Sequence, residues 1–453
     1  MTYLLGVDIG SSRIHAATAR TSSSGIPEIE SVPLGSAAPH IPALVAVTAD
    51  GRFEFGEEAA SRGATEPQNL VSGVRRRIGD DVPFVVGSQQ IPAEDAYARL
   101  ATAVIETVTT AEGEPPAHVT FTYPAGWGPF RVALVQDALG SRYAGRFHLM
   151  PEAEAAARGS RRRVPQGRAL AVYDLGGTTF DATVLRRDAT DWTVLDETGG
   201  SRVGGANFDD AVVDHVLASL ASPGGVTGAS LVALRRECTG AKEALTSERA
   251  VTIPAPGTDG PAMVRLTRTD FEKLIENHLE QTVTTLSETI EGAGLAAKEM
   301  DAVLVVGGSS HIPSVQERLS ETLECEVVAE DQGALVAMGA ARGGWERAES
   351  EPPPAEEAVH TARAVHEEVP LPKFVLSATG GSSRVATYIW RVILVLLVLG
   401  SAYYLYTALN SENRGLFGAP TSGLETPAAS VAPAEPTTPV NANTPAPTTG
   451  TDG

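Results

Sequence analysis

Two stretches of this chain end an apolar run in an aspartate and follow it with glycine and hydroxyl residues. The first is Gly6-Val7-Asp8-Ile9-Gly10-Ser11-Ser12. At its turn Gly10 lets the backbone approach a phosphate, Ser11 and Ser12 donate hydrogen bonds, and Asp8 holds a Mg²⁺ through water. The second, about 165 residues later, is Asp174-Leu175-Gly176-Gly177-Thr178-Thr179-Phe180-Asp181, led by the apolar run Leu170–Tyr173. Two hairpins of one design predict a duplicated architecture that clamps one polyphosphate from both sides. Either turn alone also occurs without a ligand. A third glycine turn, Gly307-Gly308-Ser309-Ser310-His311-Ile312-Pro313, follows the apolar Val303–Val306. Its glycines allow a flat base or ribose against the backbone, and His311 is placed to stack on it. Between the second and third turns, the glycine-dense loop 199–209 contains Gly204 and Gly205 and opens a helix whose first N–H groups face a phosphate. No Gly-Lys-Ser/Thr loop of the Walker type occurs, nor a dinucleotide fingerprint near Gly10.

The elements around these turns mix short strands with helices. Tyr3–Ile9, Val119–Tyr123, Leu170–Tyr173, Ala182–Leu185 and Ala302–Val306 read as strands. Ala93–Val108, Asp209–Leu220, Leu231–Leu245 and Asp270–Glu291 read as helices, the last capped by Thr269 or Asp270. This alternation predicts an α/β body over residues 1–345. Residues 346–384 are acidic and Pro-rich, as in Glu351-Pro352-Pro353-Pro354, and read as a linker. Val392–Leu409 carries no charge and at ~1.5 Å per residue spans about 27 Å, so 385–409 reads as one transmembrane helix. Tyr388 and Trp390 mark one interface, and Tyr403, Tyr404 and Tyr406 the other. Residues 410–453, rich in Pro, Thr and Ala, read as a disordered tail.

Charge and cysteine content narrow the function. The 453 residues carry 56 acidic against 35 basic side chains, a net charge of −21 without a large basic block, which argues against nucleic acid as a partner. Cys238 and Cys325 are the only cysteines and have no ligand spacing around them, so neither a disulfide framework nor a zinc site is expected. The N-terminus reads as a buried first strand and not as a signal peptide. Lys373, Arg384 and Arg391 precede the apolar span and only Arg414 follows soon after. That bias puts the body in the cytoplasm and the tail outside a plasma membrane crossed once.

Taken in order, these motifs resemble the nucleotide-binding domain of the 70-kDa heat-shock (DnaK-like) chaperones, within the actin-like ATPase superfamily. Gly6–Ser12, Asp174–Asp181, Gly204–Asp209 and Gly307–Pro313 each look like one of that family's motifs. The resemblance implies a two-lobed fold of duplicated ribonuclease-H-like domains, with ATP or ADP and Mg²⁺ between the lobes. It places Asp8, Asp174 and Asp181 around the metal and its waters, and Ser11, Ser12, Gly176, Gly177 and Thr179 on the phosphates. Glu152, in Glu152–Ala157, falls near the attacking water. Lys242 and Thr246 fall at the ribose and base, whereas Glu243 reads as a solvated helix residue. Arg75 stands where the family has its catalytic lysine, a change from a point charge to a planar fork. Thr178 replaces a phosphate-loop glycine, Thr239 a glutamate, and His311 an arginine that packs on adenine.

The family's peptide-binding domain has no counterpart before the apolar span. The expected activity is therefore ATP binding as a membrane-tethered switch, with ATP hydrolysis an open question and an unidentified cytosolic or membrane protein as partner. Two other readings stay open: a chaperone-like ATPase that meets unfolded protein with a partner's help, and a membrane scaffold independent of nucleotide.

Overall fold

A computed structural model describes residues 2–22, 25–220, 226, 228–256, 262–330 and 333–350. The expected transmembrane helix at 385–409 and the tail at 410–453 lie outside the described residues, as does the linker beyond Ser350. Among the described residues no helix is long and apolar enough to cross a membrane.

The α/β body contains the same sheet twice. One sheet runs Phe147–Pro151, His118–Tyr123, Tyr3–Ile9, Arg13–Thr21, Pro27–Val32. The other runs Val327–Ala329, Met300–Val306, Ala169–Leu175, Phe180–Arg187, Trp192–Ser201. In each, three antiparallel strands are extended by two parallel ones. The register matches as well. Seven facing pairs run from Tyr3↔Arg20 to Ile9↔Ile14, and seven from Ala169↔Arg186 to Leu175↔Phe180. This duplicated α/β body fits an actin-like ATPase fold.

Both leading strands are buried on their two faces, which explains why they read as continuous apolar runs. Alternate residues feed different cores. Tyr173 and Leu175 meet Phe208, Val212, Phe271 and Ile275, whereas Leu170 and Val172 meet Ala153, Ala156, Ala157 and Leu335. On the first sheet Leu5, Val7 and Ile9 pack on Tyr97, Leu100 and Leu139, and Leu4 packs on Ala337 and Ala341.

The helices Glu152–Gly159 and Leu335–Ser350 supply these alanine-rich faces and cross each other backbone to backbone. A methyl group on Gly339 would strike the carbonyl of Ala155, and one on Gly159 that of Leu335. The last helix runs across the 345 boundary expected from sequence. The long helix Arg268–Gly292 is capped by Thr267, not by Thr269 or Asp270. Thr267 has the extended backbone that a cap needs, and its hydroxyl oxygen accepts from the Asp270 N–H at 3.2 Å. Cys238 and Cys325 are both free.

Candidate functional site

Asp8 and Asp174 occupy the same place in the duplicated hairpins. Each is the sixth residue of a seven-residue strand and the one position that is not buried. The turns that follow close alike: Gly10 N–H donates to the Arg13 carbonyl and Gly176 N–H to the Thr179 carbonyl, both at 2.9 Å. The two turns face each other. A Cβ on Gly177 would collide with the Ser12 hydroxyl and lie 3.0 Å from Ser12 Cβ. The two aspartate-led hairpins are therefore brought against each other.

Arg75, in a short turn at Val74–Arg77, reaches the same place. It forks onto Glu152 at 2.6 and 3.0 Å, with the two side chains 10% and 6% exposed. Burial works against the Arg75 charge. Glu152, Asp181, Asp8 and Asp174 together outweigh it and hold the guanidinium protonated above its usual range. Burial lifts the Glu152 carboxyl, with Arg75 pulling down and Asp8, Asp174 and Asp181 adding repulsion. For Asp174, burial and then Asp181 raise the carboxyl to about 7, against Arg75, with Asp8 adding to the rise. One arginine thus serves four carboxylates.

That imbalance suits a divalent cation, because a cluster short of positive charge otherwise keeps a proton. Among the described residues no group of His, Cys, Asp or Glu is arranged to grip an ion directly. Asp8 instead accepts from the Thr122 hydroxyl at 2.8 Å, and Asp181 from the Gly200 N–H at 2.9 Å. Thr122 and Gly200 carried no signal in the sequence beyond lying at the end of a strand and in a glycine loop.

The second turn is locked to the loops around it. Gly205 N–H donates to the Gly176 carbonyl at 3.1 Å and Ala206 N–H to the Gly177 carbonyl at 2.7 Å. Ser309 donates to the Gly176 carbonyl at 2.9 Å, so its hydroxyl anchors the loop. Gly204 lies against the Thr178 backbone, where a Cβ would come within 2.8 Å of Thr178 N. Thr178 Oγ1 itself is buried and meets no hydrogen-bond partner. An orphaned hydroxyl at a phosphate-type turn fits an anionic ligand.

Gly307 has φ +90°, and a Cβ there would lie 2.6 Å from Asp174 Oδ1, so only glycine fits. Lys242 lies close by, its Nζ 2.8 Å from Asp209 Oδ1 and 3.2 Å from the Gly205 carbonyl. Two expected residues are less closely drawn in. His311 is exposed at the end of the turn Gly308–His311. Thr246 follows the helix Ala229–Ala244, and its carbonyl accepts from Arg268. Glu243 is half-exposed, as a solvated residue should be, yet it is bound by Arg13 from the first hairpin at 2.7 Å. Arg13 carried no signal in the sequence, and Glu243 read only as solvated.

Residues 146–344 match the family model described as Hsp70 protein. That span holds Glu152, the second hairpin, the 199–209 loop and the third turn. Asp8 and Arg75 lie outside it and are joined to the site by the geometry above. The chaperone protein DnaK of Elusimicrobium minutum (strain Pei191) is 27% identical over 338 residues, covering 71% of this chain and 54% of that relative. The chain thus matches about half the length of that protein. With the duplicated sheets and the facing hairpins, these similarities support a DnaK-like Hsp70 nucleotide-binding domain for the described body of the chain.

Proposed function

We propose that this chain is a membrane-anchored ATP-binding protein that turns ATP over slowly and changes state with its nucleotide. The observation that carries the reading is the approach of Gly177 to Ser12, which sets two phosphate-type turns across one crevice. Ser11, Ser12, Thr178, Thr179 and the Gly177 N–H would hold the phosphates, with Gly10 and Gly176 closing the two turns. Mg²⁺, bound through waters to Asp8, Asp174 and Asp181, would neutralise the triphosphate. Gly204, Gly205, Gly307, Gly308 and Lys242 would line the nucleoside end, with Thr246 and His311 at its edge.

Slow turnover is favoured by a specific feature. Glu152 would orient the attacking water, but Arg75 takes both of its oxygens. A carboxylate tied in this way must release one bond before it can hold a water, which raises the barrier. The anchor rests on the uncharged run Val392–Leu409, and the basic residues before it favour a cytoplasmic body and an external tail. A partner protein, in the cytosol or the membrane, would read the nucleotide state.

Calorimetry of the full-length chain in mild detergent tests the proposal. MgATP is expected to bind, and Asp8→Ala to abolish the heat. Absence of binding by the unmutated chain would leave only the nucleotide-independent scaffold. Phosphate release no faster than that of Asp8→Ala would remove hydrolysis and keep binding.

A further inference from the structure

Arg13 is the first residue of the strand that leaves the first phosphate-type turn, and its side chain reaches into the second half of the body. One guanidinium nitrogen donates to Glu243 Oε1 at 2.7 Å, and another lies 3.5 Å from the position a Cβ on Gly308 would take. Arg13 belongs to the first sheet; Glu243 and Gly308 belong to the second half of the body. Glu243 follows Lys242, whose ammonium sits at the Gly205 carbonyl. The guanidinium therefore crosses the crevice at its nucleoside end and rests on bare glycine backbone. Its histidine neighbours do not share the charge. The His15 and His40 rings lie tilted at 5.3 Å, and burial, then Arg13 and His15, push His40 down to about 4.

We propose that Arg13 is a base-reading residue: its guanidinium closes over a purine laid on Gly308, and Glu243 positions it. This rests on the nucleotide reading above and adds to it the residue that recognises the base. The side chains of Arg13 and Glu243 are 41% and 52% exposed, so the pair contributes little to folding by itself. An arginine at that exposure is free to lift by the thickness of one ring. Its planar fork then covers the outer face of the base, while its edge keeps the bond to Glu243. Gly308 offers the other face because it has no side chain to exclude the ring. A lysine has no flat face and cannot do this.

The experiment compares Kd values of the full-length chain in detergent for MgATP and for magnesium tripolyphosphate, which lacks base and sugar. Arg13→Ala and Arg13→Lys are each expected to weaken MgATP binding about fivefold to thirtyfold and to leave tripolyphosphate unchanged. Glu243→Gln, which loosens the guanidinium without removing it, is expected to weaken MgATP by less than Arg13→Ala. Thermal unfolding of the ligand-free variants should stay within a degree or two of the parent, as the exposure implies. Wild-type affinity in Arg13→Lys would show that charge alone suffices and overturn base stacking. Equal losses for both ligands would make Arg13 a phosphate contact and overturn the inference as well. An unmutated chain that binds neither ligand would overturn the nucleotide reading and this inference together; normal MgATP binding by Arg13→Ala would overturn this one alone.

Discussion

Arg75→Met and Glu152→Gln break the same ion pair but should not cost the same. Removing one member of a buried pair costs ~3–5 kcal/mol when the other is left uncompensated. Arg75→Met does this fully, because Glu152, Asp8, Asp174 and Asp181 then lose the cation they share. In Glu152→Gln the guanidinium still has three carboxylates around it, so the loss is nearer that of one charged hydrogen bond, ~1.5–3 kcal/mol. At a urea slope of ~3 kcal/mol/M the midpoints should fall by about 1–1.7 M and by about 0.5–1 M. The assay is urea unfolding of the full-length chain in mild detergent, followed by circular dichroism, without and with Mg²⁺. Added Mg²⁺ should raise the Arg75→Met midpoint more than the parent's, since the ion replaces the missing charge. Equal midpoints for the two variants, or a larger loss in Glu152→Gln, would refute a shared arginine.

Three further outcomes follow from the same geometry. The Asp174 carboxyl is raised to about 7 in the folded chain, so its contribution is fully present below the ordinary carboxylate range and is lost as pH rises through 7. The ligand-free protein should therefore lose stability between about pH 4 and 7 in thermal scans, and Asp174→Asn should flatten that slope. Binding of Mg-nucleotide should drive a proton off Asp174, read near pH 7 as a dependence of binding heat on the buffer's ionisation enthalpy. Gly177→Val should abolish nucleotide binding by calorimetry, because its side chain enters the space of Ser12. Gly339→Ala should lower the thermal midpoint by several degrees, the overpacking cost being ~1–3 kcal/mol where the Ala155 carbonyl leaves no room.

The two aspartate-led turns were legible in the sequence because their signals are local. Asp8, Gly10, Asp174 and Gly176 each fall at a fixed offset from an apolar run, and the pleat does the rest. Helices with a polar face, such as Ala93–Glu112, were legible for the same reason. Leu335–Ser350 was not, because alanine and glycine bury it without an amphipathic pattern. The contacts that join distant parts of the body depend on pairs far apart in the chain. Arg13 finds Glu243 across 230 positions, and Thr122 finds Asp8 across 114. No periodicity links such partners; only the paired sheets bring them together. The cap at Thr267 was displaced for a smaller reason: three neighbouring residues could each have served, and backbone direction chose among them.

The crossing of Glu152–Gly159 with Leu335–Ser350 has a mechanical meaning. Where glycines let two backbones touch, small side chains and the Arg158–Glu346 ion pair fix the crossing, which joins the two sheets. Glu152 sits at one end of the first helix, and the second lies along Gly6, two residues before Asp8.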